Sequence, residues 1–277
     1  MSLVIGTNTA SLEAQQNLGR SRSALMRSFA KLSSGFRINS AADDAAGLAI
    51  SESMKAQIRS YVVAERNAND SISMVQTAEG ALGEIHGILG RMRELAMQSA
   101  NGSMTSTDRS YIDTEFQALK AEISRIQGNA RFNGVKLLSA TGAAITFQVG
   151  IHNTAADKIA VTFGGLSLTT LLAATTVLSG ATAGNALAAI GRIDSAFQLV
   201  ASQRADYGAA MNRLEVTASA IQTMRTNLAA ANSRIRDVDV AEETATLARN
   251  QVLSQAGTAI VAQANQLPQM ALDLVRG

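Results

Sequence analysis

Cysteine and tryptophan are absent from the 277 residues, proline occurs once, at Pro268, and histidine twice, at His86 and His152. Without cysteine there is no disulfide and no thiolate metal site, and the redox compartment stays open. The two histidines lie far apart, neither with a neighbour at ligand spacing, so no metal site is expected. No apolar run reaches the roughly 18 residues of a membrane span. The first 20 residues hold only Leu3 to Ile5 as an apolar patch and no basic lead-in, so no Sec signal peptide is expected there and any export would follow another route. Aromatic residues make up only 4% of the chain against 47% apolar residues. That composition suits long helices packed through Ala, Leu, Ile and Met better than a compact aromatic core.

Chemistry-bearing motifs are also missing. There is no H-E-x-x-H, no glycine-rich loop ending in Gly-Lys-Ser/Thr and no G-x-S-x-G. The one pair of adjacent carboxylates that invites a catalytic reading is Asp43 and Asp44, in "RINSAADDAAGLAISESM". Consecutive helical residues point about 100° apart, so these acids do not converge on one reacting atom. With Ser40 as N-cap, Asp43 falls at the third helical position with Asp44 beside it, where a carboxylate favours the positive end of the helix dipole by about 0.3 to 1 kcal/mol. The arginines are scattered among acids with no aromatic platform, so no nucleic-acid partner is expected. The chain reads as neither an enzyme nor a cofactor binder.

What is present is a seven-residue period. Val75, Leu82, Leu89 and Ala96 form one row, with Ala78, Ile85, Met92 and Ser99 beside it. Ile112, Phe116, Leu119, Ile123 and Ile126 repeat the same spacing on a shorter helix. Ile193, Val200, Tyr207, Leu214, Ile221, Leu228 and Ile235 hold seven successive positions, and Ile190, Phe197, Met211 and Ala218 supply much of the partner row. A seven-residue repeat kept that long predicts left-handed supercoiling. At about 1.5 Å per residue, a helix of about 50 residues runs about 75 Å. The fold class is therefore mainly α, a long antiparallel coiled-coil rod. Between the helices "AITFQV" and "KIAVTF" alternate apolar residues on either side of Gly150 to Asp157, predicting a β-hairpin at about 144–163. The Gly-, Thr- and Ala-rich stretch 166–185 reads as a short surface loop or small cap.

The ends carry narrower rows: Leu18, Leu25 and Leu32 at one, Leu253, Ile260, Leu267 and Leu274 at the other. Each is a single stripe on a polar helix, so the two are expected to meet as a helical pair that orders fully on assembly with other copies. Charge agrees, with five basic residues against one acid in residues 1–42 and five acids against two arginines in 237–277. Thr105 with Asp108, and Asp239 with Glu242, read as further helix starts, and Asn101-Gly102 and Asn133-Gly134 as turns. Gly80, Gly83, Gly87 and Gly90 fall away from the Val75 seam. Inside a helix each costs roughly 0.5 to 1 kcal/mol relative to alanine, which predicts a bare face approached by another subunit.

Several of these segments resemble bacterial flagellin: "TNTASLEAQQNL" from Thr7, "KLSSGFRINSAADDAAGLAISESM" from Lys31, "RMRELAMQSANG", "ARFNGVKLL", "ITFQVG" and "SRIRDVDVAEETATLARNQVLSQAGTAIVAQANQLPQMALDLVR" from Ser233, in the family's order. The match covers about residues 1–165 and 186–277. Gly6 stands where many relatives have Asn, and only about 20 residues replace the large outer domains, so the chain resembles a minimal form. The resemblance implies a homopolymeric, extracellular flagellar filament for motility, exported through the type III apparatus without signal cleavage. It assigns 1–39 and 238–277 to an inner paired-helix domain, 40–165 and 186–237 to an outer coiled-coil domain, and 166–185 to the loop replacing the variable domains. Asp43 and Asp44 would mark the junction between them. Implied partners are an export chaperone, the cap and the junction proteins, and no membrane or nucleic acid. The family's Toll-like receptor patch would fall on Arg91, Leu95 and Glu115, with Gly90 where relatives often have glutamine. The alternatives are a hook–filament junction protein or minor filament subunit and, from another class, a coiled-coil surface-binding module.

Overall fold

The computed structural model describes the backbone of residues 8–276 and the side-chain environment of residues 8–266. Leu267 and Leu274 of the C-terminal row therefore lie outside the described side chains. In chain order the elements are α1 (Thr9–Ser34), α2 (Ala45–Ser99), α3 (Ser106–Asn129), the two-residue strands β1 (Arg131–Phe132) and β2 (Val135–Lys136), β3 (Ala143–Gln148), β4 (Lys158–Phe163), a short α4 (Thr169–Leu172), α5 (Gly184–Arg236) and α6 (Val240–Arg276). They form two compact units, Met1–Ile58 with Thr226–Gly277 and Arg59–Arg225, and both α2 and α5 contribute residues to each.

In the Arg59–Arg225 unit the heptad rows are the core. Val75, Ala78, Leu82, Ile85, Leu89, Met92, Ala96 and Ser99 are all fully buried. Phe116 and Ile123 of α3 and Ile193, Val200, Tyr207 and Leu214 of α5 are equally dry. Ion pairs flank these seams: Glu65–Arg225 (2.5 Å), Glu79–Arg204 (2.6 Å) and Arg93–Asp194 (2.9 Å) tie α2 to α5. Because the α2 numbers rise as the α5 numbers fall, the two helices run antiparallel. The predicted hairpin is β3–β4, with Ile145 opposite Val161 and Phe147 opposite Ile159. Its apolar face delivers Ile159, Val161 and Phe163 to the helical core.

Helix ends follow local chemistry. Thr105 and Asp108 form a reciprocal capping box at the start of α3. Asn8 accepts from the Ser11 amide at 3.0 Å to cap α1, and Gly35, at φ 75°, ends it in the left-handed conformation. Of the two readings of 166–185, loop or small cap, the buried side chains of Leu166, Leu168, Leu171, Thr176 and Leu178 fit the cap. Side chains of α3 hold its main chain, with Lys120 Nζ donating to Ala173 O at 2.8 Å and Asp113 accepting from the Leu178 amide at 2.7 Å. That burial lowers the Lys120 pKa. Ser40 is not the N-cap of α2, which starts at Ala45. Asp44 caps it, accepting from the Gly47 amide at 2.8 Å. Ser40 pairs with Asp43 instead, whose carboxylate accepts from the Asn39 and Ser40 amides and from Ser40 Oγ (2.9–3.2 Å).

Candidate assembly surfaces

Every candidate surface in the terminal unit starts from how α1 meets α6. Along α1 the inward row is Ser11, Ala14, Leu18, Ser21, Leu25, Ser28 and Leu32, buried or half-buried. The predicted leucines are thus one half of a row whose other half is small and polar. On α6 the inward row is Asn250, Ser254, Gly257, Val261 and Ala264. A methyl at Gly257 would stand 3.1 Å from Leu18 Cδ1, so the backbones approach closely there. Asn8 Nδ2 donates to Ala264 O (2.7 Å), Ser11 Oγ to Asn265 Oδ1 (2.7 Å), and Lys31 lies 3.8 Å from Glu243. The helical pair forms as expected, but not through Leu253 and Ile260. These are 50% and 59% exposed, with Val252 at 64%, and flank the buried row, Ile260 bordering a shallow groove with Ala10 of α1. On α1, Leu12, Met26 and Phe29 are likewise more than half exposed.

The second feature is the turn between α1 and α2, where the opening carboxylates sit. Phe36 and Asp237 form an antiparallel bridge, the Arg37 amide donates to Arg236 O (2.6 Å) and the Val238 amide to Gly35 O (3.1 Å). The Arg37 guanidinium donates to Ile235 O. Arg236 lies 4.5 Å over the Phe36 ring and donates to Glu52 (2.6 Å). Beneath this layer Ile38 and Gly47 are buried. Asp43 and Asp44 therefore stabilise a turn and a helix start, and each faces backbone amides rather than a cavity.

The hydrogen bonds from Ser40 hold the Asp43 carboxyl below its ordinary pKa. A depressed carboxylate contributes stability that is complete above the unfolded value near 4 and is lost as pH falls through the lower folded value. Asp43→Asn should accelerate hydrogen exchange of the Asn39 and Ser40 amides at pH 7. Once the pH falls below the depressed folded value, wild type and variant should exchange alike.

Gly80, Gly83, Gly87 and Gly90 form a bare strip on α2, and a methyl added at any of them would meet open space. Nearby, Arg91 Nε donates to Glu115 Oε1 at 2.9 Å and its Nη1 to Glu94 at 3.0 Å, raising the Arg91 pKa through these bonds. Both Arg91 and Glu115 are exposed. Leu95 is not: at 2% exposure it faces the core, so it offers no surface to a receptor.

Sequence reasoning missed Arg109, buried to 4% exposure. Its guanidinium donates to Ser99 O (2.9 Å), Asn101 O (3.1 Å) and Ala181 O (3.1 Å), locking the α2–α3 turn to the cap. Only the adjacent Asn-Gly turn hinted at it, since unpaired carbonyls after a helix end attract a cation. Among the described residues no three His, Asp or Glu side chains gather as metal ligands, and no helix is long and apolar enough to cross a membrane.

Comparison with known proteins agrees with this arrangement. Residues 5–143 match the family model of the bacterial flagellin N-terminal helical region, and residues 190–275 that of the C-terminal helical region. The chain is 45% identical over 275 residues to a flagellin of Halalkalibacterium halodurans, covering 99% of this chain and 100% of that one. It is 41% identical over 287 residues to the flagellar filament 33 kDa core protein of Treponema phagedenis, covering 99% and 100%. A solved Vibrio parahaemolyticus chain described as a flagellar hook-associated protein is 15% identical, with a TM-score of 0.59 over 70% of this chain and all of that one. At that identity it speaks for the fold alone.

Proposed function

The chain belongs to the bacterial flagellin family and is a structural subunit of the extracellular flagellar filament, and from that premise we propose which of its surfaces build the polymer. The observation that carries the proposal is that α1 and α6 pair through Leu18, Leu25 and Leu32 with small residues while Leu12, Met26, Phe29, Val252, Leu253 and Ile260 stay exposed. Apolar rows of that density on a helical pair are what neighbouring copies would cover. A contact repeated by a rotation that does not close extends into an open helical polymer. Residues 1–39 with 238–277 are the inner part of this assembly, 40–165 with 186–237 the outer part, and Asp43 and Asp44 its junction.

The test is salt-induced assembly followed by negative-stain microscopy. Wild-type protein should give long filaments. Leu253→Asp with Ile260→Asp should keep the monomer's helical circular dichroism and give none. Filaments formed normally by that variant would refute the assignment.

The glycine strip is a second part of the proposal, a slim face against which another subunit's backbone packs. Alanine at all four positions should stabilise α2 by about 2 to 4 kcal/mol, from roughly 0.5 to 1 kcal/mol each, while impairing assembly. Unimpaired assembly of a more stable variant would remove the strip from the contact.

Delivery to the filament without signal cleavage, with an export chaperone and then the cap and junction proteins as partners, completes the reading on the family resemblance. The same resemblance implies a Toll-like receptor contact on Arg91, Leu95 and Glu115, of which only the exposed Arg91 and Glu115 are proposed, Leu95 being buried. An Arg91→Ala monomer that signals like wild type in a receptor reporter assay would remove it.

A further inference from the structure

We propose that the tip of the β1–β2 hairpin is a two-cation contact that pairs with carboxylates of a second copy of this chain. The inference rests on the reading of the chain as a filament subunit and adds a contact outside the terminal helices. Arg131 and Lys136 are register partners across the hairpin. The next pair inward is hydrogen-bonded, Leu137 N donating to Ala130 O at 2.9 Å. Arg131 and Lys136 therefore occupy the non-hydrogen-bonded position, where facing side chains come closest. Like charges directly opposite one another weaken a strand pair. Within the described residues neither has a carboxylate to offset this: Arg131 Nε reaches only Gly128 O, at 3.5 Å, and both side chains are exposed.

The tip is also rigid. Asn133 (φ 46°) and Gly134 (φ 80°) make the left-handed two-residue turn that suits a tight hairpin, while Leu137 and Leu138 anchor its base in the core. Val135, 43% exposed, adds an apolar contact beside the two cations. A knob held in shape before binding loses little freedom on docking, so its charges act fully on a partner.

The complement is on the chain itself. Most carboxylates of the Arg59–Arg225 unit are engaged, as in Glu65–Arg225, Glu79–Arg204 and Glu115–Arg91. Asp70, Glu84, Asp206 and Glu215 are exposed and make no ion pair among the described residues. In a homopolymer every cationic tip is offered to neighbours carrying those same acids, and opposite charge fixes register more than it adds raw affinity.

The experiment measures monomer melting and the critical concentration of full-length protein. Arg131→Gln with Lys136→Gln removes the repulsion and the contact together. Its monomer should melt at the same temperature or higher, while the critical concentration rises about fivefold or more. A role confined to folding would move stability and assembly in the same direction. Arg131→Glu with Lys136→Glu should impair assembly further, and adding one of Asp70→Lys, Glu84→Lys, Asp206→Lys or Glu215→Lys in the same chain should restore it. Wild-type protein that forms no filaments would instead refute the filament reading itself. With wild type assembling, an unchanged critical concentration in the Gln variant overturns the inference. Failure of all four reversals to rescue the Glu variant overturns it too, because the partner is then not another copy's carboxylate.

Discussion

Tyr207→Ala should lower the stability of the Arg59–Arg225 unit by about 3 to 5 kcal/mol, the range for removing a fully buried aromatic side chain. Tyr207 is 0% exposed and sits in the middle of the α5 row. Its ring lies 5.6 Å from that of Phe163 at 38°, so it joins the helical seam to the last residue of β4. Tyr207→Phe should cost far less. The hydroxyl reaches Leu137 O at 3.4 Å, a long bond, and has the Gly164 main chain and the Gln203 side chain as further partners, so its loss should cost about 0.5 to 1.5 kcal/mol. Thermal denaturation followed by circular dichroism separates the two variants. A mild Tyr207→Ala would mean that the seam does not depend on this layer.

The same residue gives a pH signature. Burial raises the phenol pKa of Tyr207. Above pH 10, the ordinary value, the unfolded chain releases this proton while the folded chain still holds it. Stability is therefore complete below about pH 10 and falls as pH rises further. Tyr207→Phe should flatten that alkaline loss, and a variant with the wild-type slope would assign the loss to another group.

The seams were legible because burial on both sides of a helix pair imposes one period on sequence and structure alike. Every residue named in the Val75 and Ala78 rows is dry. The hairpin was legible for the same reason at period two. The register of α6 was not. Leu253 and Ile260 are its more apolar row, yet α1 packs on Ser254, Gly257 and Ala264, where small side chains let the backbones close in. Hydropathy alone cannot tell a row buried within the chain from one left for a neighbour. The 166–185 cap was left undecided against a loop by its composition. It is held by Asp113, Gln117 and Lys120 bonding its main chain from more than 50 residues away, and no local pattern reports such bonds. The start of α2 carries two overlapping signals, Ser40 with Asp43 and Asp44 with Gly47. The structure uses the first for a turn and the second for the cap.

That overlap makes Gly47 the position where a small change should do most to the terminal unit. Gly47→Val should destabilise the turn by about 1 to 3 kcal/mol, the usual cost of overpacking a filled site, and abolish filament assembly. A Cβ at Gly47 would stand 2.4 Å from Asp44 Oδ2 and 2.7 Å from Ile38 Cδ1. Asp44 cannot swing away without releasing the Gly47 amide it caps, and Ile38 is fully buried with nowhere to go. Displacing Ile38 pulls on Arg37, whose amide and guanidinium both bond the end of α5, and so shifts the chain leaving α1 relative to the chain entering α6. The α1–α6 pair depends on that alignment, since its tight contacts at Gly257 and Ala264 tolerate little slip. Asp44→Ala removes the cap without the clash and should cost about 0.5 to 2 kcal/mol, with assembly weakened rather than lost. Critical concentrations measured for the two variants, beside monomer hydrogen exchange at residues 36–48, decide the matter. If Gly47→Val assembles at the wild-type concentration, the turn is a passive connection and the alignment of the terminal helices is set elsewhere.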